Sequence, residues 1–125
     1  MKYLSLEDVL LYHERIIQES GGSEGIRDFG LLHSAIERPK ASFAGKDLYT
    51  DIFTKAAALI HSLVLNHSFV DGNKRTALAS ISRFFGINNK ELKASFKQLI
   101  KLVLDIENKK LDIEKIGIWL EKHCI

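Results

Sequence analysis

His67-Ser68-Phe69-Val70-Asp71-Gly72-Asn73-Lys74-Arg75-Thr76-Ala77 is a short polar break between the two strongest apolar patterns of the chain. On its N-terminal side, Thr50 or Asp51 can cap a helix running to about Asn66. Ile52, Phe53, Ala56, Ala57, Leu59, Ile60, Leu63 and Val64 cover most of that helix's circumference. A helix with so little polar face belongs at the centre of a fold. On the C-terminal side, Ala77, Leu78, Ile81, Phe84 and Phe85 recur at helical spacing, and Gly86 is the expected C-terminal cap. The break at His67 to Gly72 is therefore expected to be a loop held between two packed helices.

The flanking sequence extends the helical pattern in both directions. Leu6, Val9, Leu10, Ile16 and Ile17 follow Ser5, a good N-cap, and stop at Gly21-Gly22. Asp28 can cap a short helix through Glu37, which Pro39 ends by disfavouring helical backbone at Arg38. Ala41 to Tyr49 shows no helical period and reads as an irregular or extended surface segment, with room for one small hairpin. Two more amphipathic patterns follow, one from about Ser95 to Glu107 and one from Asp112 through Trp119 and Leu120. The expectation is an all-α fold of about six helices with a small β-hairpin, forming one domain over residues 1–125. At 125 residues the chain can bury one core and divides poorly into two.

The loop's residue types suit phosphate. Gly72 removes a side chain where backbone must approach a ligand, and a helix starting at Asn73 offers unpaired N–H groups and the positive end of its dipole. Lys74 and Arg75 add two cations, Arg75 with a fork that fits phosphate oxygens. Asp71 can supply a hard oxygen to a magnesium ion, whose shell is completed by phosphates and water. An imidazole is the side chain suited to general-base work near neutral pH, so His67 is the candidate to take a proton from an attacking hydroxyl. Base, metal ligand, anion cradle and cationic clamp are the parts that phosphoryl or nucleotidyl transfer requires.

The stretch resembles the Fic signature HxFx(D/E)GN(G/K)R, and Asn73-Lys74-Arg75-Thr76-Ala77 is similar to the run found in Doc, or death-on-curing, toxins. Gly21-Gly22, Gly25-Ile26-Arg27-Asp28 and Glu37-Arg38-Pro39 are also Doc-like, so the resemblance covers most of residues 1 to 86. It implies a Fic-like helical domain in which His67 is the base, Asp71 the magnesium ligand, and Gly72, Asn73, Lys74 and Arg75 bind ATP. Two departures from the Fic pattern favour the Doc side: Lys74 stands where Fic enzymes have Gly, and Leu78 stands where a second Arg often lies. Gly72, in turn, occupies a position where some Doc proteins have Ala.

Doc-like members act as kinases, and the resemblance implies transfer of the γ-phosphate of ATP to a Thr or Ser hydroxyl of a translation factor, elongation factor Tu. It also implies a toxin-antitoxin system with a separate antitoxin protein as partner. The segment from Ala41 to Tyr49 corresponds to a flap that docks the target in extended form, with Phe43, Gly45 and Tyr49 as candidate contacts. Two alternatives stay open: a Fic-type AMP transferase, and a non-catalytic module that uses the same cradle to recognise a phosphorylated partner.

Each residue also has a plainer reading. A His between helices is more often packed or capping, Asp71 alone would be an ordinary helix N-cap, and an adjacent Lys-Arg pair is usually a solvated face. Their occurrence together at these offsets is what favours the site. Ser20 to Gly25 fits the (S/T)xxxE(G/N) inhibitory motif of some Fic proteins, but its glycines argue against the helix that would present Glu24.

His13, His33, His61 and His123 lack HxxxH or HExxH spacing, which argues against a zinc enzyme. Eighteen basic and 16 acidic residues give a net charge of only +2 without a long single-sign run, so no nucleic-acid footprint is expected. The single cysteine, Cys124, fits a reducing, cytoplasmic setting. No stretch approaches the ~20 apolar residues of a membrane span, and Glu7-Asp8 interrupts any signal-like N-terminus.

Overall fold

The computed structural model describes residues 1–125. Six helices follow in chain order: α1 (Leu6–Ser20), α2 (Phe29–Glu37), α3 (Ile52–Leu65), α4 (Asn73–Ile87), α5 (Phe96–Glu107) and α6 (Ile113–Lys122). A 3-10 turn, Arg38–Lys40, and a two-stranded hairpin, β1 (Ser42–Phe43) and β2 (Lys46–Asp47), separate α2 from α3. The fold is all-helical apart from this hairpin, as the sequence pattern predicts.

The expected caps explain most boundaries. Ser5 and Asp8 form a reciprocal capping box at α1, Asp51 and Thr54 do so at α3, and Ser95 and Gln98 at α5. Asp28 and Asp112 accept the N–H of Leu31 and Lys115 to start α2 and α6. Each satisfies backbone donors that the helix itself leaves unpaired.

α3 is the central helix. Ten of its residues, from Ile52 to Val64, are buried, and it packs against α2, α4, α5, α6 and the 3-10 turn. Phe84 and Phe85 of α4, Leu102 and Ile106 of α5, and Ile116 and Leu120 of α6 join it in one continuous core. The loop between α3 and α4 is therefore gripped at both ends by the best-packed part of the molecule.

Two expectations are corrected. Gly86 does not cap α4; the helix continues through Ile87 to Asn88. The Asn88 amide donates to the Phe84 and Lys2 carbonyls and accepts the Lys2 N–H, each at 2.9 Å, while Asn89 takes the left-handed turn at φ 63°. Asn tolerates that conformation, so the chain reverses without needing Gly86. Asp71 is not the N-cap of α4 either. That position is Gly72, at φ 79°, and no side chain caps the helix.

Candidate functional site

The loop from Asn66 to Gly72 is shaped by contacts from α1, from the segment preceding α2, and from its own Asn73. His67 adopts φ 48°, a left-handed conformation that is uncommon for a residue with a Cβ. Arg27 stabilises it, its guanidinium donating to the carbonyls of both Asn66 and His67 at the end of α3. The N–H groups of Arg27 and Asp28 reach the Ser68 carbonyl at 2.7 and 3.0 Å, and Val70 N–H reaches the Gly25 carbonyl at 3.1 Å. The Gly25–Asp28 stretch thus lies along the loop like a short strand, with Ile26 bridged to Phe69.

Phe69 anchors the loop from inside. It is buried, which contributes roughly 1.5–3 kcal/mol, and its ring stacks on His13 at 3.8 Å between centroids. The same imidazole sits 2.8 Å from the Asp71 carbonyl through Nε2. A carbonyl only accepts, so Nε2 carries the proton in this arrangement. Asn73 completes the bracing: its side chain accepts the Phe69 N–H and donates to the Phe69 carbonyl.

These restraints leave His67 on the surface and Ser68 and Phe69 buried beneath it. His67 lines a cleft of about 250 Å³, together with Asp71, Gly72, Asn73, Lys74 and Arg75 on the loop side. Every residue expected to act on phosphate is therefore in one cavity. The first bond of α4 runs from Thr76 N–H to the Gly72 carbonyl at 2.9 Å, leaving the N–H groups of Asn73, Lys74 and Arg75 ahead of the helical ladder. A helix start of this kind is suited to an anion. Gly72 is required there: at φ 79° an added Cβ would also press on Ile17 Cδ1 at 3.2 Å.

Asp71 is ionised and half-exposed. Backbone N–H groups of Ser23, at 3.1 Å, and Gly72, at 2.8 Å, hold its carboxyl below the usual aspartate value, with the Arg75 guanidinium acting in the same direction. No cluster of three or more His, Cys, Asp or Glu side chains is present that could hold a metal. A lone, charged carboxylate beside an anion cradle fits magnesium, which accepts one protein carboxylate and takes its other ligands from phosphate and water.

The two cations are both engaged. Lys74 Nζ pairs with Glu107 of α5 at 3.0 Å, and Arg75 donates to the Gly21 carbonyl at 3.2 Å while its Nη2 lies 3.8 Å from Asp71. Leu78, where a second Arg lies in many Fic enzymes, forms an apolar wall with Ile100, Val103 and Leu104. Of the flap candidates, Phe43 and Gly45 are exposed at the hairpin tip, where Ala44 and Gly45 both take positive φ as a tight two-residue turn demands. Tyr49 is partly buried and accepts a hydrogen bond from Arg38 Nε at 3.0 Å. None of the three lines the cleft.

A sequence model described as the Fic/DOC family matches residues 3–85. The chain belongs to that family. Within the Fic/DOC family it is 40% identical over 121 residues to "Toxin Doc" of Mycolicibacterium smegmatis, covering 95% of this chain and 91% of that protein. It is also 34% identical over 88 residues to "Protein kinase doc" of Escherichia phage P1, covering 70% and 69% of the two chains. The Fic/DOC match ends just before the close of α4, so Glu107 and the α5 wall of the cleft lie beyond it.

Five contributors to the site have no counterpart in the motif reading: His13, Gly22, Ser23, Glu107 and the α5 wall. His13 had a usable signal, since it continues the buried i, i+4 stripe Val9–His13–Ile17 of α1. Gly22 reads in the sequence as a helix stop and as part of the Doc-like resemblance, without a role in the site, yet a Cβ added there would fall 2.6 Å from Asp71 Oδ2. Glu24, exposed and outside any helix, has no place to act as an inhibitory glutamate of the kind the Ser20–Gly25 pattern suggests.

Proposed function

We propose that this protein is a Doc-type toxin of a toxin-antitoxin system that transfers the γ-phosphate of ATP to a Thr or Ser hydroxyl of a translation factor, with elongation factor Tu as the expected target. The observation that carries this reading is that exposed His67 shares one cleft with the open amides at the start of α4. The relatives, a toxin and a protein kinase by name, support the same assignment.

In this scheme His67 takes the proton of the acceptor hydroxyl as its oxygen bonds to the γ-phosphorus. The bond from that phosphorus to the bridging oxygen breaks, and ADP leaves. The amides of Asn73 to Arg75, with the Lys74 and Arg75 side chains, bear the charge that gathers on the phosphate oxygens. Magnesium, held by Asp71, would supply charge neutralisation to the bound phosphates. The side chains of Asn73, Arg27 and His13 act through the loop rather than on the substrate, fixing where His67 and the amides stand. The exposed hairpin carries Phe43 and a free strand edge, which suits docking of an extended target segment by main-chain bonds. A separate antitoxin is the expected inhibitor.

Labelled ATP tests the reading. Incubated with bacterial elongation factor Tu and magnesium, the protein should pass label from the γ-position and none from the α-position, and His67→Ala should lower transfer by about 10²–10⁴-fold. Label from the α-position would replace the kinase with an AMP transferase. Partner binding and growth inhibition unchanged in His67→Ala would indicate a binding module.

A further inference from the structure

The charges around the cleft cancel. Lys74 and Arg75 supply two positive charges, and Asp71 and Glu107 supply two negative ones, so the ring has no net charge as it stands. That balance is unexpected for a cavity meant for a polyanion. Asp71 has an assigned reason to be there, as the magnesium ligand of the proposed reaction. Glu107 has none, and it lies beyond residues 3–85, where the family model matches, although within the 121 residues aligned to Toxin Doc.

Its position is also unfavourable in itself. Glu107 is the last residue of α5, where unpaired carbonyls and the negative end of the helix dipole disfavour a carboxylate. Lys74 offsets this with a 3.0 Å ion pair, leaving Glu107 30% and Lys74 44% exposed. An ion pair so open to water contributes little, and both side chains can swing apart at small cost. Arg75 differs, because the Gly21 carbonyl holds it as well.

We infer that Glu107 is an internal competitor for Lys74: its carboxylate occupies the lysine in the free protein, must be displaced by the nucleotide's phosphate, and so sets nucleotide affinity. This rests on the proposed nucleotide site. Glu107 is then an affinity-determining residue and not a catalytic one. Loss of its charge leaves the ring at +1 and frees Lys74, so ATP should bind more tightly.

The test is calorimetric titration of the full chain with ATP and magnesium. Glu107→Gln keeps the side chain's size and should strengthen binding about two- to five-fold, the span expected for an exposed ion pair. In a Lys74→Ala background the same change should give a clearly smaller gain. Unchanged affinity with a lowered melting temperature would make the pair a mere staple between α4 and α5 and overturn the inference. Weaker binding in Glu107→Gln would overturn it too, making Glu107 a positioning residue for Lys74. Wild-type protein that binds no ATP would remove the nucleotide reading itself, a result distinguishable from either of these.

Discussion

The side-chain amide of Asn73 is bonded to both backbone groups of Phe69, taking its N–H at 2.9 Å and giving to its carbonyl at 3.0 Å. A residue that reads as a phosphate contact in the motif thus has its side chain committed to the loop, and only its main-chain N–H is left for a ligand. Asn73→Ala would leave two backbone groups of a buried residue without partners. It should lower stability by about 1–3 kcal/mol in a denaturant melt and reduce phosphotransfer, whereas Asn73→Asp keeps an acceptor and should retain more of the stability.

Arg27 should behave as a positioning residue for His67. Its guanidinium is the shared donor to the Asn66 and His67 carbonyls, and the left-handed turn at His67 depends on that clamp. Arg27→Ala is expected to cut kcat by ten-fold or more, at least about 1.4 kcal/mol of transition-state stabilisation, with a smaller change in KM for ATP. Arg27→Lys cannot span both carbonyls with a planar fork and should recover only part of the rate.

Gly22→Ala should damage the site from outside it. At φ 121° the substitution strains the backbone, and the new methyl would stand 2.6 Å from Asp71 Oδ2 and 3.2 Å from Arg75 Nη2. Asp71 must move, so the magnesium concentration needed for half-maximal activity should rise several-fold. Gly21→Ala has nothing within 4 Å of its Cβ and should leave that concentration close to wild type, despite a comparable backbone penalty.

Asp71 also predicts a pH dependence. Its folded carboxyl titrates below the ordinary aspartate value, so the stabilisation it provides is fully present above that value and is lost as pH falls through the folded one. Melting temperatures of wild type and Asp71→Asn should therefore differ by a constant amount near neutrality and converge only in acid, below about pH 4. Convergence already near pH 6 would show that the Ser23 and Gly72 amides do not hold the charged form.

How much of this was legible in the sequence follows from what kind of information each residue carries. The helices were readable because Ser5, Asp28, Asp51, Ser95 and Asp112 cap them and the apolar spacing behind each cap is local. The error at Gly86 arose because the end of α4 is fixed by Asn88 bonding Lys2, a contact between residues 86 positions apart. Within the site, His67, Asp71 and the Gly72–Arg75 run were legible as a compact motif. His13, Gly22, Ser23 and Glu107 were not, since they reach the loop from α1, from the turn after it and from α5 only once the chain is folded. Tyr49 carries information of both kinds: its place in the flap segment is read from the sequence, whereas its hydrogen bond from Arg38 is seen only in the folded chain.

The central claim, that the turn between α3 and α4 holds the phosphates beside His67, is tested most directly by amide NMR of the full chain titrated with ATP and magnesium. The account predicts that the largest shifts fall on the N–H groups of Gly72, Asn73, Lys74 and Arg75 and on the His67 ring, and that Arg75→Ala abolishes them. Saturable binding whose shifts cluster elsewhere, with these amides and the imidazole unmoved, would contradict it.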